Sequence, residues 1–286
     1  MKKKNYYKYL KKKNKKLKYI TIQKCTPFNP STRHYKYITK YLLSKQNRIL
    51  KTLIFKIKKA SGKCTSSGRT ILWGRSSGCK KLYRKLCFFN QDTLGIILFS
   101  IYDPNRTCFI SAFFNLQSYK FSFIPNLQET TAGILSGCQS SKKKFYALGF
   151  RYRLNMLQIG SIISFLSKNH TNQPVYSKSA GTFCLLLNKS IMFCKVRLPS
   201  GLIITIPNFC FATLGKISNK FNRLTIVGKA GRNRLKGVKP TVRGIATNPV
   251  DNPHGGRTNG GCCWVTPWGK PFLFKKTSRS SLKQKK

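Results

Sequence analysis

The sequence predicts a mostly β protein in which two small β domains lie between a basic arm and a basic tail. Short apolar runs separated by turn residues form two clusters, and each cluster is typical of a set of short strands. Lys and Arg total 56 against 4 Asp and Glu, so the 286-residue chain has a formal net charge of +52. The stretch 151–215 holds only seven of these basic residues. The charge therefore lies mainly outside the second cluster of predicted strands.

The basic arm is assigned to residues 1–52. Its first 24 residues contain eleven lysines and neither an acid nor an arginine. A run of like charges is typical of a solvated or nucleic-acid-bound segment rather than of a packed helix. Mitochondrial presequences favour Arg and Ser on an amphipathic helix, so this composition does not indicate a presequence.

The first β domain is assigned to residues 53–149, with its barrel strands between about 60 and 130. Its apolar runs are TLIFKI, LYRKLCFF, LGIILFSIY, CFISAFF and YKFSFI. In the last run, Tyr119, Phe121 and Phe123 alternate with polar residues, which predicts a strand with one buried face. Gly, Asn and Pro between the runs favour a small barrel or sandwich.

The second β domain is assigned to residues 150–219, with the runs SIISFL, TFCLLL, IMFCKVRL and LIITI. From Met192 to Leu198 the even-numbered positions are apolar, so we expect them to face the core. Ser200–Gly201 follows Pro199 and predicts a hairpin turn. The pattern indicates a second small barrel, separate from the first.

The basic tail is assigned to residues 220–286. Residues 228–286 carry fourteen Lys and Arg, one acid and many Gly and Pro. Such a segment buries too little apolar surface to fold alone. We therefore expect the tail to be disordered in isolation and ordered by its partner.

Nucleic acid is the partner that the charge favours. A free protein of this charge repels itself and gains little from internal ion pairs. A phosphate backbone supplies the missing negative charge, and release of its condensed counterions drives the association. An anionic membrane is the alternative, but no apolar run reaches the roughly 18 residues that a membrane-spanning helix needs.

The eleven cysteines are interpreted as reduced thiols that act as small hydrophobic side chains. Their number is odd, and most lie in apolar runs. A zinc site needs paired spacings of the CxxC type. The only close pair is Cys262–Cys263, and adjacent residues suit a shared metal poorly. We therefore predict neither a disulfide framework nor a metal site.

Asp251 and His254 are the only pair that suggests a catalytic centre, as an orienting carboxylate and a base. No serine elbow or activated cysteine accompanies them in the sequence. Metal-dependent phosphoryl chemistry needs several carboxylates, and the other acids, Asp92, Asp103 and Glu129, are dispersed. We predict no catalytic residues, and the chain is not expected to be an enzyme.

A binding loop explains the same stretch better. Glycines let the backbone approach a ligand closely, prolines stiffen the chain, and arginine forks bind phosphates in a bidentate manner. Asp251, lying among arginines, is interpreted as a clasp that shapes the loop together with Pro253, Gly255 and Gly256.

The tail motif GKAGRNRLKGVKPTVRGIATNPVDNPHGG (228–256) resembles the C-terminal signature of the universal large-subunit ribosomal protein family L-two. Further matches keep the order of the family: TPFNPSTRH (26–34), YDPNR (102–106), SAGT (179–182), RLPSG (197–201), ATLGKISN (212–219) and TPWGKP (266–271). The resemblance covers roughly residues 24–280.

This resemblance implies an OB-fold-like barrel, then an SH3-like barrel, and a tail that penetrates large-subunit rRNA near the peptidyl transferase centre. It also implies contacts with neighbouring ribosomal proteins and with the small subunit across the intersubunit face. No cofactor is expected beyond magnesium associated with the rRNA. The expected RNA-binding residues are Arg33, His34, Arg69, Arg75, Lys80, Arg84, Arg106, Lys178, Arg197, Lys229, Arg232, Asn233, Arg234, Lys236, Lys239, Arg243, Asn248, His254, Arg257, Trp268 and Lys270.

Three departures from the family pattern are visible. Asn252 stands where the family usually reads the first His of DHPHGG, and the following Gly-rich loop is shorter. The family segment GGGHK is similar to SSGCK (76–80) here, with Cys79 in place of His. These changes affect side-chain chemistry at two positions and leave the binding interpretation unchanged.

The expected function is a structural rRNA-binding component of a large ribosomal subunit. The alternative is a free RNA-processing enzyme or RNA chaperone. The chain is rich in Lys, Asn, Ile, Phe and Tyr, which have A/T-rich codons. This bias predicts a mitochondrial ribosome and an organelle-encoded gene, with a plastid or an A/T-rich bacterium as alternatives.

Overall fold

The computed structural model describes residues 21–40, 43–44, 48–56, 61–89, 92–139, 146–169, 173–256 and 264–271. The chain divides into two compact units. The larger, called the β unit, comprises Met1–Lys59 and Cys79–Arg232. The smaller, called the Gly-rich unit, comprises Ala60–Gly78 and Asn233–Lys286. The domain boundaries expected from the sequence stay a prediction.

The described strands all lie in the β unit. They are β1 (Ile22–Lys24), β2 (Lys36–Ile38), β3 (Ile54–Lys56), β4 (Leu82–Arg84), β5 (Thr93–Ile101), β6 (Ile110–Asn115), β7 (Phe121–Pro125), β8 (Leu135–Gln139), β9 (Phe150–Arg153), β10 (Ile162–Ser164), β11 (Leu166–Ser167), β12 (Pro174–Tyr176), β13 (Cys184–Lys189), β14 (Phe193–Arg197), β15 (Ile203–Pro207) and β16 (Phe211–Leu214).

Helices are short. Helix α1 (Pro30–Arg33) lies between β1 and β2, and helix α2 (Ala230–Lys236) follows the last strand. Four 3₁₀ turns span Arg48–Leu53, Leu154–Met156, Lys220–Leu224 and Gly244–Ala246. Among the described residues, no helix is long and apolar enough to cross a membrane.

Ten strands form one continuous sheet in the order β15-β14-β13-β10-β16-β9-β8-β5-β6-β7. Neighbours are antiparallel except β8 and β9, which pair in parallel and join the two halves. The mostly β fold, with strand sets that match an OB-like and an SH3-like half, is confirmed. The sequence did not predict that the two strand sets would share one sheet through the β8–β9 pair. No closed barrel is found among the described strands.

Each half of the sheet has its own core. The second half packs fully buried side chains such as Leu154, Ile163 and Leu186. The first half packs a cluster that includes Ile110 and Phe123. A smaller cluster of Cys108, Leu127, Phe165 and Ile217 draws on both halves. Because the two cores are bridged by this third cluster, the halves pack as one compact unit.

The two period-2 patterns of the sequence predict burial with different success. In β14, Cys194 and Val196 are fully buried, as expected, and Gly201 N–H donates to Leu198 O in the predicted hairpin turn. In the other pattern, Phe123 is buried but Tyr119 is exposed. Tyr119 was expected in a strand but lies in the turn before β7, with a positive φ of 53°.

Two further apolar residues near the starts of these period-2 patterns are exposed to solvent. Phe121 begins β7 and is partly exposed, and Met192 precedes β14 and is exposed. A residue at the end of a strand has neighbours on fewer sides, so period-2 alternation fails there first. The core-facing position expected for Met192 is therefore wrong.

The nine described cysteines are free thiols, five of them buried. Burial raises the pKa of Cys138 to about 12 and the pKa of Cys184 to about 11. These thiols stay protonated at neutral pH and pack as small apolar groups, as the sequence predicts. No group of three or more His, Cys, Asp or Glu that could hold a metal ion occurs within the described parts of the chain.

Candidate nucleic-acid interface

The N-terminal family motif and the start of the tail motif lie together in the β unit. Lys36 N–H donates to Ile226 O at 3.1 Å, and Ile226 N–H donates back to Lys36 O at the same distance. This bridge adds Ile226 to the β1–β2 hairpin. Segments about 190 residues apart in sequence thus form one surface element.

Arg232 locks this junction. Its Nη1 donates to Ser31 O at 3.2 Å and to Val227 O at 2.8 Å. Its guanidinium carbon lies 3.8 Å from the centroid of the Tyr35 ring, which is a cation–π contact. A Cβ at Gly228 would lie 3.0 Å from Ser31 O, so glycine permits the close approach. Arg232 was expected to bind RNA. Its guanidinium group contacts Ser31, Val227 and Tyr35 within the protein, and its contact with RNA stays a prediction.

Helix α2 displays basic side chains at its C-terminal end. Gly237 N–H donates to Arg234 O, and Val238 N–H donates to Asn233 O, which together form a Schellman motif. Gly237 has a φ of 92°, which glycine adopts without strain. The side chains of Asn233, Arg234 and Lys236 are exposed. This helix was not predicted from the sequence, because its seven residues bury no apolar side chain.

Two glycine-containing segments pair through their backbones in the Gly-rich unit. Ser76 N–H donates to Gly237 O, and Lys239 N–H donates to Gly74 O, each at 2.9 Å. A Cβ at Gly78 would lie 2.6 Å from Leu235 O. The family-like SSGCK segment therefore rests on the backbone of the tail. This contact accounts for its glycine, whereas the Cys79 side chain is exposed.

Residues 61–73 form a small hairpin that presents basic and aromatic side chains. Lys63 and Thr70 form a β bridge, and Ile71 N–H donates to Gly62 O at 2.9 Å. Arg69 and Trp73 are exposed. Trp73 was not among the residues expected to bind RNA, although an exposed Trp beside arginines is a typical stacking platform for nucleic-acid bases.

The loop around His254 is shaped by Asn252. Asn252 Oδ1 accepts a hydrogen bond from His254 N–H at 2.9 Å, and the Asn252 side chain packs against Gly244. A Cβ at Gly255 would clash with Asn248 O. Glycine is therefore required at position 255. Asn is favoured in such turns because its side chain bonds the backbone two residues ahead.

The Asp251 carboxylate is exposed and forms no ion pair within the described parts of the chain. Its backbone N–H donates to Asn248 O at 3.0 Å. The clasp at this turn is therefore supplied by Asn252, and a role for the Asp251 carboxylate stays a prediction. Arg257, another expected contact, lies outside the described residues.

His254 holds the last described segment in place. Its Nε2 lies 3.0 Å from Val265 N and 3.1 Å from Val265 O. In the tautomer with Nδ1 protonated, Nε2 accepts the Val265 N–H. The ring also lies 6.3 Å from the Trp264 ring. This engagement gives His254 a structural role in the Gly-rich unit.

The YDPNR motif forms a buried ionic clasp. Asp103 has no accessible surface and pairs with Arg106 and, at 3.5 Å, with Arg84. Arg106 Nη1 also donates to Arg84 O at 3.2 Å, and Asn105 Nδ2 donates to Leu82 O at 2.6 Å. Arg84 was expected to contact RNA but is buried. Burial favours a structural role, and its contact with RNA stays a prediction.

Three family-like motifs converge at Thr107. Its Oγ1 accepts from Ala180 N–H at 3.1 Å, and its carbonyl accepts from Asn219 Nδ2 at 2.6 Å. Asn219 has a φ of 65°, and Gly181 N–H donates to Ser218 O. The motifs of both sheet halves thus meet at one point of the β unit, and Lys178 is exposed beside it.

Most of the expected RNA-binding residues are exposed. Arg106, Arg232 and His254 are half-buried, and Arg84 is buried. The exposed ones are Arg33, His34, Arg69, Arg75, Lys80, Lys178, Arg197, Lys229, Asn233, Arg234, Lys236, Lys239, Arg243, Asn248, Trp268 and Lys270. Because Asp103 is fully buried, it offers no competing negative charge at the surface.

Comparison with known proteins agrees with these motifs. A family model described as Ribosomal Proteins L2, C-terminal domain, matches residues 147–269. The large ribosomal subunit protein uL2 of Rickettsia massiliae (strain Mtu5) is 36% identical over 266 residues, which cover 91% of this chain and 96% of that protein. The protein of the same name from Cereibacter sphaeroides (strain ATCC 17025 / ATH 2.4.3) is 33% identical over 273 residues, with 93% and 95% covered. The similarity extends over both units.

Proposed function

The chain belongs to the family of the large ribosomal subunit protein uL2, and from this premise we propose that it binds large-subunit rRNA near the peptidyl transferase centre. It is a structural component of the large ribosomal subunit and acts in translation; the family is not an enzyme family. The proposal adds that the Gly-rich unit penetrates the rRNA and that the chain supports assembly of the subunit.

The observation that carries the proposal is the composition of the surface of the Gly-rich unit. Arg75, Arg234, Lys236, Lys239 and Arg243 are exposed on backbone segments that approach one another through glycines. The segments that carry them, residues 60–78 and 233–243, contain no acid. Phosphate groups of RNA neutralise the charges of such a surface, and counterion release makes the binding favourable.

The further partners in the proposal are neighbouring ribosomal proteins and the small subunit across the intersubunit face. The exposed Lys178 and Arg197 in the β unit support a second contact surface. Magnesium associated with the rRNA completes the charge balance where phosphates crowd.

The compartment in the proposal is the mitochondrion, with an organelle-encoded gene; a plastid or an A/T-rich bacterium is the alternative. Locating the gene and the mature N-terminus tests this part.

Charge-removal variants test the RNA-binding role. Arg234→Gln with Lys236→Gln removes two exposed charges at the end of α2. We expect the slope of log K against log salt to fall in magnitude by about 0.7–0.9 per lost phosphate contact. Lys56→Gln with Lys85→Gln is the matched control, because both lysines are exposed and neither belongs to the expected interface. Equal slopes for the two double variants contradict the proposal.

The rival function, a free RNA-processing enzyme or chaperone, predicts a different result when intact ribosomal particles are washed with high salt. A structural subunit component stays with the large subunit after a high-salt wash of intact particles, because many buried contacts dissociate slowly together. A chaperone or processing enzyme, which acts on many RNAs in turn, is released. Loss of most of the chain in the wash favours the rival.

A further inference from the structure

One surface of the β unit displays large apolar side chains to solvent without an evident RNA role. Ile191 is 96% exposed, Met192 67%, Phe193 54% and Phe209 46%. Ile191 and Met192 lie in the turn between β13 and β14, Phe193 begins β14, and Phe209 follows β15. We call these four residues the apolar tip. Turns between antiparallel strands normally use Gly, Asn, Asp or Ser, so two consecutive large hydrophobic residues in this turn need another explanation.

The turn that bears the tip is held rigidly by Asn208. Its Nδ2 donates to Ser190 O at 2.6 Å and to Ile191 O at 2.7 Å, and its Oδ1 accepts from the Cys194 thiol at 2.8 Å. Its N–H donates to Met192 O at 3.0 Å. The backbone is therefore fixed with its apolar side chains pointing away from the core. A preordered surface binds a partner at a lower entropic cost than a flexible one.

The charges around the tip decide among the occupants. Lys189 and Lys195 lie on the two strands beside the tip, and residues 151–215 contain no acid. A second copy of this chain, at +52, is repelled. The chain's own segments outside the described residues are also basic, with ten lysines in residues 1–20. RNA matches the lysines and the rings of Phe193 and Phe209, but it does not match Ile191 and Met192, the two most exposed side chains of the tip, which have neither a ring for stacking nor a hydrogen-bond donor.

We propose that the apolar tip docks into an apolar groove with an acidic rim on another protein of the assembled particle. The aliphatic side chains fill the groove, and the exposed Lys195 faces the carboxylates of its rim, whereas the half-buried Lys189 donates through Nζ to Asn155 O at 3.1 Å. The contact is independent of the RNA-binding surface of the Gly-rich unit. It rests on the proposed function, which includes neighbouring ribosomal proteins as partners, and it assigns one such contact to the β13–β14 turn.

Site-specific photocrosslinking in the assembled particle tests this docking. A benzoylphenylalanine replaces Ile191 in the full chain, and the matched control carries it at Ser200, which is exposed in the turn at the other end of β14. The particle is isolated through this chain, and its rRNA is measured separately, so failure of RNA binding is recognised independently. We expect position 191 to give one protein adduct with a cross-linked peptide that contains acidic and apolar residues.

Other adducts overturn the proposal: rRNA, lipid, a second copy, the chain's own segments, or no adduct above the Ser200 control. Ile191→Ser with Met192→Ser provides a second measurement. Burial of such side chains changes affinity by roughly 10- to 100-fold, so the affinity of the particle for the cross-linked protein should fall by that factor. Ile191→Leu with Met192→Leu should retain it. Because both side chains are already in water, thermal unfolding should not change, and an unchanged affinity in the Ser variant contradicts the docking.

Discussion

In the β unit, Leu154, Ile163 and Leu186 have no accessible surface, whereas every described leucine, isoleucine, valine and tryptophan of the Gly-rich unit is exposed or half-buried. The β unit is held by side-chain packing around its sheet. The Gly-rich unit is held by backbone hydrogen bonds and by glycines that let its segments approach closely. The two units therefore depend on different interactions for their shape.

This difference has an energetic consequence. Burial of one Leu or Ile side chain stabilises a fold by about 1.5–3 kcal/mol. A backbone hydrogen bond contributes about 0.5–1.5 kcal/mol net, whereas ordering one residue costs about 1–2 kcal/mol. Hydrogen bonds alone therefore do not offset the ordering of the Gly-rich unit. We expect this unit to need a partner and the β unit to keep its fold without one.

The largest effect expected from this comparison is the salt dependence of RNA binding. If 6–10 basic side chains of the tail meet phosphates, affinity for the rRNA should fall by roughly 10³- to 10⁵-fold between about 50 and 200 mM salt, by analogy with duplex DNA. Filter binding of the full chain to its rRNA across this range measures the slope. A nearly flat dependence shows that the Gly-rich unit does not bind through phosphates.

Hydrogen exchange should distinguish the two units directly. In the RNA-free chain, we expect amides of β13 and β14 to exchange about 10³-fold or more slowly than unprotected amides, because they open only with the core. Amides at Ser76 and Lys239 should exchange with little protection in the free chain and become protected on rRNA. Strong protection of both amides without RNA contradicts the expected order.

A matched pair of truncations tests where packing matters. Leu186→Ala should lower the free energy of unfolding by about 2–5 kcal/mol, because it removes a fully buried side chain and leaves a cavity. Val242→Ala, at a position 65% exposed, should change it by no more than about 0.5 kcal/mol. Urea unfolding of the RNA-free chain measures both values. Similar losses in the two variants remove the distinction between the units.

The sequence was sufficient for the fold class because strand periodicity and charge are local properties. Cys194 and Val196 are buried as alternation predicts. The continuous sheet could not be predicted, because the β8–β9 pairing depends on which strand edges meet in three dimensions. No local pattern encodes that encounter.

The candidate interface was predicted less evenly. Exposed arginines and lysines of the tail follow from composition, but the pairing of Arg84 and Arg106 with Asp103 depends on tertiary contact. One acid among many basic residues has many candidate partners, and only the fold selects them. Asn252 carried a detectable signal, since Asn before Pro is typical of a side-chain-capped turn.

Cysteine reactivity sharpens the comparison on a smaller scale. Hydrogen bonds from Ser66 and Ser67 lower the pKa of the exposed Cys64 thiol, in the Gly-rich unit, to about 6. Burial raises the pKa of Cys138, in the β unit, to about 12. In the rRNA-bound chain, alkylation of Cys64 should therefore rise with pH through about 6 and level off, whereas Cys138 should not react while the β unit is folded.

The rate gain at Cys64 is modest. At pH 7 its thiolate fraction is roughly 90-fold higher than for a thiol at 9.0, but the lower basicity reduces its nucleophilicity by about 20-fold, leaving a net gain of about fourfold. Iodoacetamide labelling at a series of pH values, followed by peptide mass spectrometry, gives the pH at which alkylation of each cysteine reaches half of its maximal rate. A Cys64 midpoint near 9 shows that the Ser66 contact does not form in solution.

The smallest effect is expected on the chemical step of translation, when His254 is replaced. His254→Ala removes the acceptor of the Val265 N–H, so the last described segment loses its attachment to the loop. We expect lower yields of assembled or joined subunits. A general base must be free to take a proton, yet Nε2 already contacts the Val265 backbone and no metal cluster occurs among the described residues. Peptide-bond formation in fully assembled particles should therefore stay unchanged.

Single-turnover peptide-bond formation by purified particles with normal protein composition measures this directly. Val250→Ala is the matched control in the same loop, because its side chain is 97% exposed. General acid–base catalysis typically contributes 10²-fold or more. A loss of that size for His254→Ala, with a normal rate for the control, would assign the ring to the reaction itself. Reduced assembly together with an unchanged chemical step assigns His254 to holding the loop that the rRNA orders.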